Sequence, residues 1–205
     1  MPVRLLIPKE QYLAAGIHIG MKQRTEQMRE FIYKVREDGL AVLNLKKIDE
    51  RIRTAAQFLS RCERILVASR KSVAKEALEK FAEVINAKVI TTRFMPGTLT
   101  NPTYKNFFEA DAVLVADPLI DIQALQEAVK ARVPVVAVCD TFNETKDIDL
   151  IIPANNKGKR ALSTLFWLLA REILKERGEI KSDKEFAYKI EDFGGKLTEE
   201  DKEME

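Results

Sequence analysis

From residue 64 onward, short apolar runs alternate with longer amphipathic segments. The runs RILVAS, KVITTRF, DAVLVAD, PVVAVCD and DLIIP carry apolar side chains at most positions. A strand with one solvent-facing side alternates apolar and polar residues, whereas a strand covered on both faces is apolar almost throughout. The pattern therefore predicts an α/β fold, in which a parallel sheet lies between two layers of helices.

The segments between these runs have helical periodicity. SVAKEALEKFAEVI and DIQALQEAVKARV are predicted helices, and an earlier helix should place Ile48, Ile52, Ala55, Ala56 and Leu59 on one buried face. A long last helix is predicted after the final strand, with Asn156 as its amino-terminal cap and Gly178 as its stop. These helices are expected to cover the sheet.

The amino-terminal part differs in character. PKEQYLAAG predicts a short helix that stops at Gly16, and the segment after it lacks a period and contains Gly20, which favours an extended arm. FIYKV and LAVLNL flank Asp38-Gly39, which predicts a β-hairpin. We therefore divide the chain into a helix and arm (1–30), an α/β domain (31–180) and an acidic, flexible tail (181–205).

The formal charge of +2 is unevenly distributed. Residues 181–205 contain five lysines and nine carboxylates, whereas residues 1–36 contain seven Lys/Arg and three Glu, and residues 157–177 contain six and two. The last two segments could attract a polyanion. They could equally be ordinary lysine-rich faces in contact with water.

Two cysteines, Cys62 and Cys139, lie beside predicted strands without CxxC spacing. We expect both to be reduced and buried, with no metal site and no cofactor. The first ten residues contain only three consecutive strongly apolar side chains, so we expect no signal peptide, and no apolar run is long enough for a membrane span. A cytoplasmic protein without a membrane partner is the expectation.

An enzymatic reading depends on the strand ends, because open parallel sheets bind ligands there. Asp117 and Asp140 follow two strands and could hold magnesium for a reaction on a phosphorylated ligand. The turn after RILVAS, however, contains no glycine for close approach to a phosphate, and the single histidine, His18, is remote in sequence. Turn chemistry after a strand explains the two aspartates as well.

Five longer stretches occur in a recognisable order: LAAGIHIGMKQRTEQMREFIYKVREDGLAVLNLKKIDERIR, TRFMPGTLTNP, DPLIDIQALQEA, PVVAVCDTFNETKDIDLIIPANNKGKRAL and FWLLAREILKERG. This sequence resembles the universal family of small-subunit ribosomal protein number two, whose eukaryotic member is also called the laminin-receptor precursor. The resemblance is greatest to the archaeal branch and covers about residues 9–186.

The resemblance implies a flavodoxin-like or Rossmann-like three-layer sandwich and a non-catalytic role in the small ribosomal subunit. The implied partners are the small-subunit ribosomal RNA, near the head–body junction, and neighbouring ribosomal proteins. Bacterial members carry a long helical hairpin where this chain has PTYKNFFEA, so contacts through that hairpin do not transfer. The receptor properties of eukaryotic members do not transfer either, since their carboxyl tail differs.

Three segments combine cations with small hydrogen-bonding groups, which can satisfy RNA phosphates and 2′-hydroxyls without reading sequence. For the loop 93–102, bonding within the loop itself is an equal alternative; for 155–160 the alternative is a helix cap. The candidate RNA contacts are His18, Lys22, Arg24 and Arg29 in the arm, Arg93, Thr98, Thr100 and Asn101 in the loop, and Asn155, Lys157, Lys159 and Arg160 before the last helix.

We expect the free protein to be a monomer. The arm should be partly mobile in that state, because its sequence suggests many cations and little apolar surface to hold it. Phe166 and Trp167 are predicted to lie in the core, away from RNA.

Overall fold

The structure is a computed structural model that describes residues 5–195, except the side chain of Lys184. Its helices are α1 (Lys9–Ala15), α2 (Leu45–Ser60), α3 (Lys75–Ile85), α4 (Ile122–Ala131) and α5 (Lys159–Glu176). Its strands are β1 (Ile32–Val35), β2 (Ala41–Leu43), β3 (Ile65–Ala68), β4 (Lys88–Ile90), β5 (Ala112–Val115), β6 (Val135–Cys139) and β7 (Leu150–Pro153). Short 3₁₀ turns occur at Arg29–Phe31, Ser72–Ala74, Asp183–Glu185 and Ile190–Phe193.

The main sheet has the order β4-β3-β5-β6-β7, and all its neighbouring strands are parallel. Every residue of β3, β5 and β6 is buried, which confirms the prediction of strands covered on both faces. The order reverses direction between β3 and β5, which is the arrangement of flavodoxin-like folds. The predicted fold class is therefore correct.

Two helical layers enclose the sheet. Helices α2 and α3 both pack against α5, and Phe81 of α3 meets Phe166 of α5 at a ring-centroid distance of 5.4 Å. Helix α4 packs on β5 and β6. Because strand crossovers are right-handed and β3-α3-β4 runs opposite to β5-α4-β6 along the sheet, α4 lies on the other face. The five apolar residues predicted for α2 are all fully buried.

The β-hairpin forms a separate two-stranded antiparallel sheet. Gly39 has a φ of 84°, a value that an L side chain rarely adopts, and the backbone N–H of Arg36 donates to the carbonyl of Leu40 at 2.9 Å. The predicted turn at Asp38-Gly39 is confirmed. The register shifts between Ile32 and Lys34, so the ribbon is irregular near its base.

The start of α5 differs from the prediction. Gly158 occupies the capping position, and Asn156 is instead fully buried, where its amide donates to the Val138 carbonyl and to Asn143 Oδ1. Asn155 serves the helix start, since its Oδ1 accepts from the backbone N–H groups of Lys157 and Gly158. The capping prediction thus chose the wrong one of two adjacent asparagines. Gly178, with a φ of 77°, does end the helix region as predicted.

The carboxyl-terminal segment packs along α5 as far as the structure describes it. Phe193 is fully buried, and its carbonyl accepts from Ser163 Oγ at 2.8 Å. Phe186 stacks edge-on against Trp167 with centroids 5.9 Å apart, so Trp167 is half-buried while Phe166 is fully buried. The rest of the tail predicted to be flexible, residues 196–205, lies outside the described residues.

The two cysteines and the longest helices test two further expectations, buried thiols and no membrane span. Cys139 is buried and Cys62 is half-buried, and both are free thiols. Within residues 5–195, no helix has the length and apolarity that crossing a membrane requires.

Candidate RNA-binding surface

The arm, residues 17–30, is anchored by two buried apolar side chains, Ile17 and Met28. Their burial contradicts the premise that the arm has little apolar surface to hold it. Mobility itself stays a prediction, which the exchange of backbone amides would measure.

Backbone contacts with the turn after β6 hold the middle of the arm. The N–H of Met21 donates to Thr141 Oγ1 at 2.9 Å, and the N–H of Thr25 donates to the Thr141 carbonyl at 2.9 Å. A Cβ at Gly20 would lie 2.5 Å from Thr141 Cγ2, so only glycine allows this approach. The arm therefore follows one defined path across the carboxyl ends of β6 and β7.

Three of the predicted arm cations reach solvent. Lys22, Arg24 and Arg29 are exposed, and Arg29 makes only an exposed pair with Glu26 at 3.3 Å. Such pairs contribute little, so these charges remain available to a polyanion. Lys22 lies beside Gly39, since a Cβ at Gly39 would sit 3.8 Å from Lys22 Cδ. The arm and the hairpin thus form one continuous surface.

His18 is the fourth predicted arm residue and is partly buried. Burial lowers the pKa of His18; a hydrogen bond to the Tyr12 backbone acts in the opposite sense, and the charge of Arg36 lowers the pKa further. Its ring is therefore neutral at pH 7 and does not act as a cation. The role of His18 in RNA binding stays a prediction, and a neutral ring would contribute to it by packing or hydrogen bonding and not by charge.

The segment before α5 adjoins the arm. Asn155 donates from its backbone N–H to the Ile17 carbonyl at 2.9 Å and from its side chain to the Gly16 carbonyl at 3.1 Å. Lys157 is exposed above the ring of Phe142, at 4.6 Å from its centroid. The structure therefore places Asn155 against the start of the arm and Lys157 beside the turn that holds its middle.

Lys159 and Arg160 continue this surface along α5. Lys159 is exposed and pairs with Glu76 of α3 at 3.0 Å, while Arg160 is half-buried. Glu76 reduces the local positive charge at this end of the surface. Lys157 is thus the cation of this segment best placed for a phosphate.

The loop 93–102 follows β4, at the opposite end of the sheet from β7. Four strand spacings of ~4.8 Å separate the two strands, which gives ~19 Å between the loop and the segment before α5. Arg93 is exposed and lines a cavity of about 240 Å³ together with Arg70 and Asp121. The predicted residues therefore form two groups, with the arm and 155–160 together and the loop apart from them.

The polar groups of this loop mainly hold the loop itself. Thr98 is 2% exposed and donates to the Met95 carbonyl at 2.7 Å. Asn101 Oδ1 accepts from the N–H and the hydroxyl of Thr103, at 3.1 and 2.7 Å. The intraloop alternative therefore describes Thr98 and the Asn101 carbonyl, whereas Arg93 and Thr100 are exposed and able to meet a partner.

Glu127 of α4 organises the same loop and was not predicted. Its two carboxylate oxygens accept from the backbone N–H groups of Gly97 at 2.9 Å and Leu99 at 3.2 Å. Glu127 is 3% exposed and lies three residues after the buried Ala124. A charged residue on the apolar stripe of a helix was the signal that could have identified it.

The centre of the strand-end edge is occupied by a buried polar network, here called the strand-end cluster: Lys71, Asp117, Asp140, Asn143 and Asn156. Lys71 Nζ lies 2.7 Å from Asp117 Oδ2 and 3.3 Å from Asn156 Oδ1. The Asn143 amide donates to Asp117 Oδ1 at 3.0 Å and accepts from the Asp140 N–H at 2.8 Å.

This network bears on the magnesium alternative for Asp117 and Asp140. Both residues are 1% exposed, and the Asp140 carboxylate accepts from the Thr141 N–H at 2.6 Å. Burial raises the pKa of Asp140 to about 6. Among residues 5–195, no group of three or more His, Cys, Asp or Glu is arranged to hold a metal ion. The place where related folds bind a ligand is filled by this chain's own side chains.

Asp121 directly precedes α4 in the chain and lies beside Arg70, just after the end of β3. It is another buried carboxylate at this edge of the sheet. Its Oδ1 accepts from the Arg70 N–H at 2.7 Å, while its Oδ2 has no hydrogen-bond partner in the part of the chain that the structure describes. Burial raises the pKa of Asp121 to about 6, and the nearby charge of Asp117 acts in the same direction.

The fold and these surfaces define a flavodoxin-like sandwich that fills its strand-end crevice internally and displays its cations beside it. The chain belongs to the family described as Ribosomal protein S2, which matches residues 12–107 and 106–176.

Curated relatives extend this similarity to nearly the full length. A protein of Thermoplasma acidophilum is 47% identical over 199 residues, covering 96% of this chain and 100% of the relative. A protein of Picrophilus torridus is 47% identical over 195 residues (94% and 98%), and one of Staphylothermus marinus is 52% identical over 183 residues (88% and 83%). All three are named small ribosomal subunit protein uS2.

Proposed function

We propose that this chain is a structural, non-catalytic constituent of the small ribosomal subunit, where it binds small-subunit ribosomal RNA and neighbouring ribosomal proteins. The observation that carries the proposal is family membership, with identities of 47–52% to three proteins named for that subunit over 88–96% of the chain. The filled strand-end crevice agrees with it, since the crevice offers no open site for a phosphorylated substrate.

Within this function, the arm and the segment 155–160 form the proposed RNA-facing surface. Lys22, Arg24, Arg29 and Lys157 supply exposed charge, and the buried anchors Ile17 and Met28 fix where that charge lies. Phosphate contacts of this kind position a protein on RNA without reading its sequence. Arg93, Thr100 and the exposed amide of Asn101 are a second, separate contact region about one sheet width away.

Cofractionation tests the function itself. The full-length chain, mixed with archaeal ribosomal subunits that have been stripped of their own copy of this protein by high salt, should sediment with the small subunit. Raising the salt should release it, because counterion release weakens phosphate contacts. A chain that stays at the top of the gradient at every salt concentration would contradict the ribosomal role. The released chain should elute as a monomer in gel filtration.

Charge removal tests the proposed surface. Replacing Lys22, Arg24 and Arg29 by alanine should reduce the slope of log K against log salt for small-subunit RNA by up to about one per lost phosphate contact. The matched control replaces Arg61, Lys130 and Arg132, which are exposed at the amino-terminal edge of the sheet. Equal slopes for the two triple variants would remove the arm from the RNA-binding surface.

A further inference from the structure

An open groove lies between α1, the hairpin and the start of α2. Its volume is about 700 Å³, and we call it the hairpin groove; its walls include Lys9, Leu13, His18, Tyr33, Arg36 and Lys46. These side chains come from four separate segments of the chain. Only His18 among them was a candidate RNA contact from the sequence.

The charge of the groove is positive. Lys9, Lys34, Arg36 and Lys46 line it, and none of its lining residues within 5–195 is a carboxylate. The nearest paired carboxylate is Asp38, which lies 3.5 Å from Arg36, and both side chains are about half exposed. Such an exposed pair is weak and leaves most of the field in place. The occupant that fits this field is an anion.

An aromatic ring stands at the mouth of the groove. Tyr33 is 70% exposed, and Leu13 on the neighbouring wall is 42% exposed. An exposed aromatic face beside cations is the arrangement on which single-stranded nucleic acids stack their bases.

His18 lines the inner wall, and its Nδ1 is buried with no hydrogen-bond partner among residues 5–195. An atom without accessible surface cannot meet an occupant, so the choice of occupant rests on the cations and on Tyr33. An acidic peptide would use the cations alone, whereas single-stranded RNA uses both the cations and the exposed ring, which favours RNA.

We propose that the hairpin groove binds a single unstacked nucleotide of small-subunit ribosomal RNA, with its base against Tyr33 and its phosphates near Lys34 and Arg36. This inference rests on the proposed function and specifies the RNA as a loop, bulge or strand end. A base within a duplex has both faces covered by its neighbours and cannot stack on Tyr33.

The test uses the full-length protein and defined probes: a ten-nucleotide oligouridine, a ten-nucleotide oligoadenosine and a ten-base-pair RNA duplex. Tyr33→Ala should weaken binding of the single strands about 5- to 100-fold, since one stacked base is lost. Tyr33→Phe keeps the ring and should bind within about 2-fold of the wild type. Val129→Ala, at an exposed apolar side chain of α4 outside both proposed RNA contact regions, is the control and should leave single-strand binding unchanged. The affinity for the duplex should be the same for the wild type and the Tyr33 variants.

A fluorescent variant gives a direct readout. Trp167 is half-buried against Phe186, so a Tyr33→Trp variant adds one exposed indole to a constant background. Single-stranded RNA should quench the added emission, and the duplex should not. Circular dichroism of each variant checks that the fold is retained, which is expected because Tyr33 is exposed.

Three outcomes would overturn the inference. In the first, Tyr33→Ala and Tyr33→Phe bind the single strands with equal affinity. In the second, the duplex quenches the added tryptophan emission as strongly as single-stranded RNA does. In the third, a decaglutamate peptide binds in place of RNA and its binding depends on Tyr33, which would assign the groove to an acidic protein. Cofractionation of the wild type with small subunits is measured separately. If the wild type cofractionates while Tyr33 has no effect, this inference fails and the proposed function stands.

Discussion

The strand-end cluster and the hairpin groove are both rich in charged side chains, but they differ in how those charges are satisfied. In the cluster, Lys71 is 12% exposed and bonds to Asp117 and Asn156, and Asn143 joins the remaining groups. In the groove, four cations face solvent without carboxylates among them, and His18 Nδ1 has no donor within the described chain. Buried polar groups that satisfy one another stabilise a fold, whereas cations that face solvent remain able to attract an anionic partner.

The largest loss of stability is expected when the ion pair between Lys71 and Asp117 in the strand-end cluster is broken. Lys71→Ala leaves the buried Asp117 carboxylate without its cation, which should lower the free energy of unfolding by about 3–5 kcal/mol. Lys34→Ala in the groove should change it by less than about 0.5 kcal/mol. Guanidinium unfolding of both variants, followed by circular dichroism, measures the difference. Similar small losses in both would show that the cluster does not stabilise the fold.

A smaller effect, with a defined pH dependence, is expected at Asp121. Its folded-state pKa is raised to about 6, so its contribution to stability is fully present below the unfolded value near 3.8 and is lost as pH rises through 6. Asp121→Asn keeps an acceptor for the Arg70 N–H and removes the buried charge. The variant should therefore be more stable than the wild type by about 1–3 kcal/mol at pH 8.

Thermal unfolding between pH 4 and pH 8 checks this prediction. The advantage of Asp121→Asn should shrink towards pH 4, where the wild-type carboxyl is protonated. Asp38→Asn, at the exposed hairpin turn, is the matched control and should show no such trend. An advantage independent of pH would mean that desolvation of Asp121 is not its cause.

The smallest of the three effects is expected at Glu127. Glu127→Gln keeps the side-chain shape but replaces one accepting oxygen by an amide group, which leaves Gly97 or Leu99 without its acceptor. We expect a loss of about 1–2 kcal/mol, together with faster amide exchange at residues 97–99. Glu109→Gln, on an exposed side chain, is the control. Unchanged exchange in the loop would show that Glu127 does not hold it.

The sequence predicts the sheet well because its signal is local. The apolar runs of β3, β5 and β6 can be recognised from a few neighbouring residues, and so can the Asp38-Gly39 turn. The choice between Asn155 and Asn156 as cap could not be made locally, since both are asparagines before the same helix. It is decided by Asn143 and Val138, which reach Asn156 only in the folded chain.

The candidate site was predicted less completely for the same reason. Exposed cations such as Lys22 and Lys157 could be chosen from local charge, and the structure places both at the surface. The hairpin groove could not be foreseen, because Lys9, Tyr33 and Lys46 meet only when the hairpin folds against α1 and α2. Thr98 shows the converse limit: its hydroxyl suits RNA by residue type, but in the fold it is buried and bonds to Met95 of its own loop, which is the alternative that the sequence left open.

The contact between Gly20 and Thr141 has a consequence for the order of events during synthesis. About 120 residues separate the arm from the turn that receives it, and Ile17 also depends on Asn155. At roughly 5–20 residues per second, translation needs about 6–24 s to produce that turn after the arm has emerged. The arm can pair with β2 soon after it emerges, since the Gly20 N–H donates to the Ala41 carbonyl and the Leu43 N–H donates to the His18 carbonyl, but its contact with Thr141 must wait for the later turn. Nascent chains that stop before residue 140 should therefore lack the contacts of Met21 and Thr25 with Thr141, and their arm should be more open to protease than in the full chain.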